Sequence, residues 1–298
     1  MLVVVEKDSK MITVFTSTYN RAYLLPRLYE SLKSQTFKDF EWLIVDDGST
    51  DGTRDLIAGW INERLFNIRY YYQENGGKHR TINMGTQLAK GEWFFIVDSD
   101  DILPDNSLEI VKKWIDTVRD DETFAGVCGG KRDITGQTPF GFSFDVLDLT
   151  PFEIGEITRE DKAEVVKTQI LRNYPFPDIE GEKFCAEGLV WNRIGRKYKL
   201  RYFNEVIYNY EYLNDGLTLN SMINRRKSPT YATMVYREQL PYLCSMKKKL
   251  KVSCNYWRFW GFAKKVNWRE KLPTYTYLLL PFGLLMMIFD SIKIRMKE

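Results

Sequence analysis

Histidine is nearly missing from this chain, with one residue in 298, His79. Cysteine is scarce too: Cys128, Cys185, Cys244 and Cys254 stand at spacings that match no zinc or thiol-redox motif. That pattern excludes a cysteine-built zinc module and a disulfide framework, and it reads as reduced thiols in a cytosolic protein. No export signal is expected either, because the apolar run in MLVVVEKDSK is too short and an acid follows it. There is no internal repeat or low-complexity tract. The C-terminal apolar stretch, 272–289, is eighteen residues long with Pro281 in its middle. A bilayer crossing needs about 20 apolar residues, so this stretch is not expected to span.

What is present is a large core, since 44% of residues are apolar. The net charge of +3 divides unevenly. Residues 241–298 hold twelve Lys or Arg against three Asp or Glu, net +9, which leaves 1–240 at net −6. From Met11 to about Asp116, apolar runs such as MITVFTS, EWLIVDD, IRYYYQ and EWFFIVD alternate with helix-period segments of about three turns. Strands separated by helices imply an α/β fold, a mostly parallel sheet flanked by helices. In such sheets ligands bind beyond the carboxyl ends of the strands. The loops TSTYN, DDGSTDGT, ENGGKH and DSDD are therefore expected to converge on one crevice. FAGVCGG reads as a further strand, AEGLVWNRIGRKY as a helix and LRYFNEVIYNYEY as a strand. Residues 131–185 break the alternation, and their Gly, Pro and aromatic content suits an irregular, substrate-shaping region.

The stretch GEWFFIVDSDD poses a physical problem. A buried strand runs into Asp98, Asp100 and Asp101, and each close pair of like charges costs about 3–4 kcal/mol at an effective dielectric of about 20. Three readings stand. An EF-hand frame fails because Ile102 and Leu103 fill positions needing a ligand and a glycine. A solvated acidic turn is the plain structural reading. The third is a site where one or two carboxylates share a divalent ion with a diphosphate, which supplies the missing cation. In IVDDGSTDGT, Asp51 or Thr50 suits a helix cap. Asp46 and Asp47 are left over, and a carboxylate at a nucleotide crevice can accept from a base N–H or ribose hydroxyls. NGGKHRTINMG places Gly76, Gly77, Lys78 and His79 at a helix start, a pattern that attracts anions. His79 alone also fits a structural hydrogen-bonding role.

Taken in order, ITVFTSTYNR, LLPRLYESLKSQTFKDFEWLIVDDGSTDGT and NGGKHRTINMGTQLAKGEWFFIVDSDD resemble the family 2 glycosyltransferases, inverting enzymes with the Rossmann-like GT-A fold. The resemblance runs from Ile12 to about Glu109 and more loosely through Tyr212. It implies that Ser17 and Tyr19 line the nucleotide pocket, that Asp47 binds uracil or an equivalent base, and that Lys78 supports the diphosphate. It further implies that Asp98 contacts the donor and that Asp100 ligates Mg²⁺ or Mn²⁺. The acceptor-side base would be Glu187 in CAEGLVWNRI, where Gly188 replaces the second acid of the family's pair. Asp178, Glu180 and Glu182 are the next candidates. Many relatives place a histidine after the following strand, whereas YEYLNDGLT has none. The implied partners are a nucleotide-diphosphate sugar and a glycan or lipid-linked acceptor, in polysaccharide assembly at a bacterial surface.

The expected organisation is a catalytic domain over 1–240, with a nucleotide-sugar half about 11–116 and an acceptor half about 117–240. A C-terminal helical, membrane-associating extension follows over 241–298. There KKKLKVSCNYWRFWGFAKKVNWREK mixes basic and aromatic side chains, so Trp257, Trp260 and Trp268 can sit at headgroup depth while the cations meet anionic lipid. Peripheral attachment to the inner face of the membrane is the expectation, against simple packing on the domain. A nucleic-acid partner is not expected, because no recognition motif is present and the acidic part repels phosphates. A sugar-nucleotide nucleotidyltransferase would show a Gly-rich basic signature on the first strand, which TSTYNRAYLL is not. An inactive, membrane-attached nucleotide-sugar binder is the remaining alternative.

Overall fold

The computed structural model describes residues 10–135, 142–158, 162–211, 221–264, 266 and 271–295. Trp268 and most of YEYLNDGLT lie outside them. The chain divides into two compact units, one of 1–175 with 194–212 and one of 176–193 with 213–298.

The first unit opens with β1 (Lys10–Thr18), α1 (Leu25–Lys33), β2 (Phe40–Asp46), α2 (Thr53–Glu63), β3 (Asn67–Tyr72), α3 (Lys78–Leu88), β4 (Gly91–Ile96) and α4 (Ser107–Ile115). Then come β5 (Phe124–Asp133), β6 (Val146–Leu149), α5 (Pro151–Ile157), β7 (Lys162–Lys167), α6 (Thr168–Asn173) and, after α7 (Gly188–Ile194), which but for its last residue belongs to the second unit, β8 (Lys199–Tyr210). One eight-stranded sheet results, in the order β3-β2-β1-β4-β7-β5-β8-β6. β3, β2, β1 and β4 run parallel, as do β5 and β8, while β7 and β6 run against their neighbours.

Every residue of β2 is buried, as a parallel strand covered on both faces requires. In α1, Leu25, Leu28, Tyr29 and Leu32 recur at helical spacing and are buried. Tyr29 stacks on Trp60 of α2 with centroids 4.4 Å apart and planes 5° off parallel, and Trp42 of β2 closes the cluster.

The expectation of an irregular 131–185 is corrected by this sheet. β6, α5, β7 and α6 all fall in that region, and β7 sits between β4 and β5. KAEVVK is short and charged at both ends, so its alternating burial is visible only beside its partner strands.

The second unit contains α8 (Ser221–Lys227), α9 (Pro229–Gln239), α10 (Met246–Trp260) and α11 (Leu280–Arg295). Leu240, Tyr256, Trp257 and Leu272 form its core. Arg193 grips Glu238 through two hydrogen bonds, 2.9 and 2.6 Å. Pro281 does not interrupt the C-terminal helix as its central place in 272–289 suggested. It is the second residue of α11, after a 3₁₀ turn over Thr274–Leu279, a position whose N–H has no intrahelical partner to lose. Thr274–Ile292 is thus long and apolar enough to cross a membrane by length and composition, and most of it is not buried.

Candidate active site

The carboxyl ends of β1, β2, β3 and β4 feed four loops that are sewn together by hydrogen bonds. Asn20, at φ 52°, accepts the Thr50 N–H (2.8 Å), and its own N–H donates to Ser49 (2.8 Å). Asp51 accepts the Ala22 N–H at 3.1 Å and both the N–H and hydroxyl of Thr53 at 3.1 and 2.5 Å, from the position just before Gly52, the N-cap of α2. Burial alone would raise the Asp51 carboxyl, but these donors hold it below its ordinary value. Gly48 takes φ +89°, and a Cβ there would lie 2.7 Å from the Asn75 nitrogen, so only glycine lets the two loops close up.

Asp47 is 4% exposed and occupies the centre of this arrangement. One carboxylate oxygen accepts from Gln73 (2.7 Å) and the Gly76 N–H (2.8 Å), the other from Asn75 (3.2 Å) and the Gly77 N–H (2.8 Å). A carboxylate offers about four lone-pair sites, and all four are engaged. The amides of Gly76 and Gly77, expected to face a diphosphate, face Asp47. Asp46 is likewise occupied, by the Ser49 N–H and the Tyr70 hydroxyl. Ser17 accepts the hydroxyl of Thr81, which ties β1 to α3 at 2.7 Å. Tyr19 stands 48% exposed beside it in sequence. Lys78 is the first residue of α3, and His79 is buried in the same turn.

The acidic turn after β4 is where the charges meet. Lys78 Nζ lies 2.5 Å from Asp98. Burial would push Asp98 up, but Lys78 and Lys131 overcome it and keep the carboxyl below its ordinary value. Asp101 is buried, and burial and the Asp98 charge push it up to about 7. The Tyr208 hydroxyl donates to Asp101 at 2.7 Å and accepts the Asp98 N–H at 2.9 Å. Lys131 sits 4.0 Å from the Tyr208 ring centroid, and Ile102 pairs with Asn209 by two backbone bonds. β5 and β8 therefore fix the turn from the far side.

Asp100 differs from its neighbours. Burial and then Asp98 raise its carboxyl, against the opposing pull of its own amide, Arg21 and Lys78. Among the described residues no group of three His, Cys, Asp or Glu surrounds a metal position. One hard oxygen donor beside a second carboxylate does not make a protein cage for a metal, yet it fits Mg²⁺ or Mn²⁺ shared with substrate phosphates.

Glu187 belongs to the second unit, immediately before α7, with its carbonyl accepting the Val190 and Trp191 N–H groups. Glu182 is buried and accepts the Thr230 and Tyr231 N–H groups at 2.9 and 3.0 Å, which caps α9 and removes it from the candidate bases. Asp178 and Glu180 are exposed. The sequence reading missed Lys131 and Tyr208. Tyr208 lies on a segment recognised as a strand, but nothing in a strand pattern reveals which loop its hydroxyl meets.

Residues 13–142 match the sequence model described as glycosyl transferase family 2. The glycosyltransferase GlyG of Streptococcus pneumoniae is 38% identical over 108 residues, 36% of this chain and 36% of that protein. An uncharacterized glycosyltransferase of Mycoplasma pneumoniae is 38% identical over 101 residues, 33% of this chain and 34% of that protein. The match thus spans about a third of each relative's length. Among solved structures, residues 1–349 of S. aureus TarS superpose with a TM-score of 0.63 at 18% identity, covering 94% of this chain and 88% of that one. The mannosyltransferase PcManGT of Pyrobaculum calidifontis, solved with GDP-Man and Mn²⁺, gives 0.57 at 16% identity, covering 95% and 76%. The fold is the GT-A fold of these neighbours, and the chain carries a glycosyl transferase family 2 domain.

Proposed function

We propose that this chain transfers a sugar, with inversion, from a nucleotide-diphosphate sugar to a hydroxyl of a glycan or lipid-linked acceptor. The setting is cell-surface polysaccharide assembly in a bacterium, from the cytoplasmic face of the membrane. The observation that carries the reading is Asp100, a carboxylate raised by burial and by Asp98 beside the Asp98–Lys78 pair, in a stretch that matches this family. A UDP-sugar is the first choice of donor because TarS was solved with UDP and with UDP-GlcNAc.

Asp100, with Asp98 next to it, would hold Mg²⁺ or Mn²⁺, which when bound supplies positive charge against the departing diphosphate. Lys78 adds a second positive charge on the same side. Ser17 and Tyr19 line the nucleotide pocket. Asp47, with its acceptor sites filled, serves the donor by setting the 73–77 loop. Tyr208 and Lys131 hold the acidic turn in register. Glu187 takes the proton of the attacking hydroxyl, a contribution of about a hundred- to ten-thousand-fold to such a step. The test is Glu187→Gln, which is close in shape and cannot accept the proton. It should keep donor affinity and lose most transfer; a wild-type transfer rate would remove Glu187 from the role.

A further inference from the structure

The second unit displays an apolar face that its own packing does not use. α11 turns one side to α10. A Cβ at Gly283 would fall 2.3 Å from that of Trp257, and a Cβ at Gly261 would fall 2.8 Å from Met287 Sδ. Asp290 accepts both arms of Arg258 at 2.5 and 2.6 Å. On the opposite side stand Phe282, Leu285, Phe289 and Ile292, exposed by 60, 63, 66 and 54%. Their spacing of three, four and three residues makes one continuous stripe. Contiguous exposed apolar surface of this kind marks an interaction site. Trp260 and Tyr277, each about half exposed, both pack against the ring of Trp257, at 5.4 and 5.5 Å. Aromatic rings with one polar atom are enriched where apolar and aqueous phases meet.

We infer that this face docks the protein on an anionic lipid surface, with α11 lying in the plane of the interface. Charge selects lipid over a second copy of the chain. Residues 241–298 carry net +9, so a second copy would set like charge against like, whereas anionic headgroups attract it. Lys247 and Lys251 of α10 are exposed for that contact. Geometry selects the plane over a crossing. Thr274–Ile292 has the length for a crossing, but its leading 3₁₀ turn is tied to α10, where the Trp257 indole N–H donates to the Thr276 carbonyl at 2.7 Å. The α10-facing side of α11 is also held along its length by Gly283, Met287 and Asp290. The inference stands apart from the transfer chemistry and does not require it.

The test is co-sedimentation of the full chain with vesicles of phosphatidylcholine alone and with about a third phosphatidylglycerol added. The double variant Phe282→Asp, Phe289→Asp is run beside wild type, and thermal midpoint and UDP binding are measured on both. Wild type should bind the mixed vesicles and be released by salt. The variant should lose about tenfold or more in partitioning while its thermal midpoint and UDP binding stay unchanged. The inference is overturned if wild type ignores anionic vesicles or if the variant binds them equally. It is also overturned if lipid-free wild type forms a dimer that the variant abolishes, since a second copy then covers the stripe. Loss of UDP binding in wild type would strike the proposed function and leave the docking result standing.

Discussion

Replacing Asp101 by Asn should make the metal-free protein more stable, and by an amount that depends on pH. Asp101 is buried beside Asp98, and its folded-state carboxyl titrates near about 7; in an unfolded chain it would titrate near about 3.9. A carboxyl whose folded value is raised destabilises the fold wherever it must ionise, so the penalty is complete above the folded value and gone below the unfolded one. A shift of about three units corresponds to about 4 kcal/mol at pH 8 as an upper bound, and under about 2 kcal/mol at pH 5. Asn keeps an oxygen to accept from Tyr208 and carries no charge. Urea unfolding of both proteins in EDTA at the two pH values reads the difference, with m required to stay constant. The expected result is a clear gain for Asp101→Asn at pH 8 that shrinks by more than half at pH 5. No gain at pH 8, or an equal gain at both, would refute the idea that the acidic turn is retained at a cost in stability.

Glu41→Ala should destabilise by about 3–5 kcal/mol, because it leaves the half-buried Arg69 without the carboxylate 2.9 Å away and frees the Thr13 hydroxyl and Lys90 N–H. Denaturant titration checks it. Asp47→Ala releases four donors at once and should raise the KM for donor more than it lowers kcat, since the loop it sets binds the nucleotide; an unchanged KM would count against the loop role. Both variants leave Asp100 intact, so metal-dependent behaviour should persist in whatever activity remains.

The donor half was legible because its signals are local. EWLIVDD and EWFFIVD are long apolar runs ending in acids, and each loop that follows carries Gly, Ser or Asp at the turn, so the strand order in the chain and the clustering of loops could be read directly. β7 was illegible because KAEVVK gains its place from β4 and β5, which lie far away in sequence. The same distance hid Tyr208, 110 residues from the Asp98 amide it supports. Asp47 was read as an open acceptor because the sequence shows a carboxylate but not the four donors folded onto it. The place of Pro281 at the start of a helix was not legible, because it depends on a 3₁₀ turn that no periodicity announces.

The central claim is that Asp100 joins a divalent ion to the diphosphate of a nucleotide donor. Calorimetric titration of UDP into the full-length protein tests it most directly, with Mn²⁺ and with EDTA, for wild type and Asp100→Ala. Wild type should bind UDP with Mn²⁺ and lose about 1.4 kcal/mol or more, a tenfold or greater weakening, in EDTA. Asp100→Ala should show the weak value in both conditions with an unchanged thermal midpoint. Equal affinity of wild type in Mn²⁺ and in EDTA, or Mn²⁺-dependent binding retained by Asp100→Ala, would contradict the account.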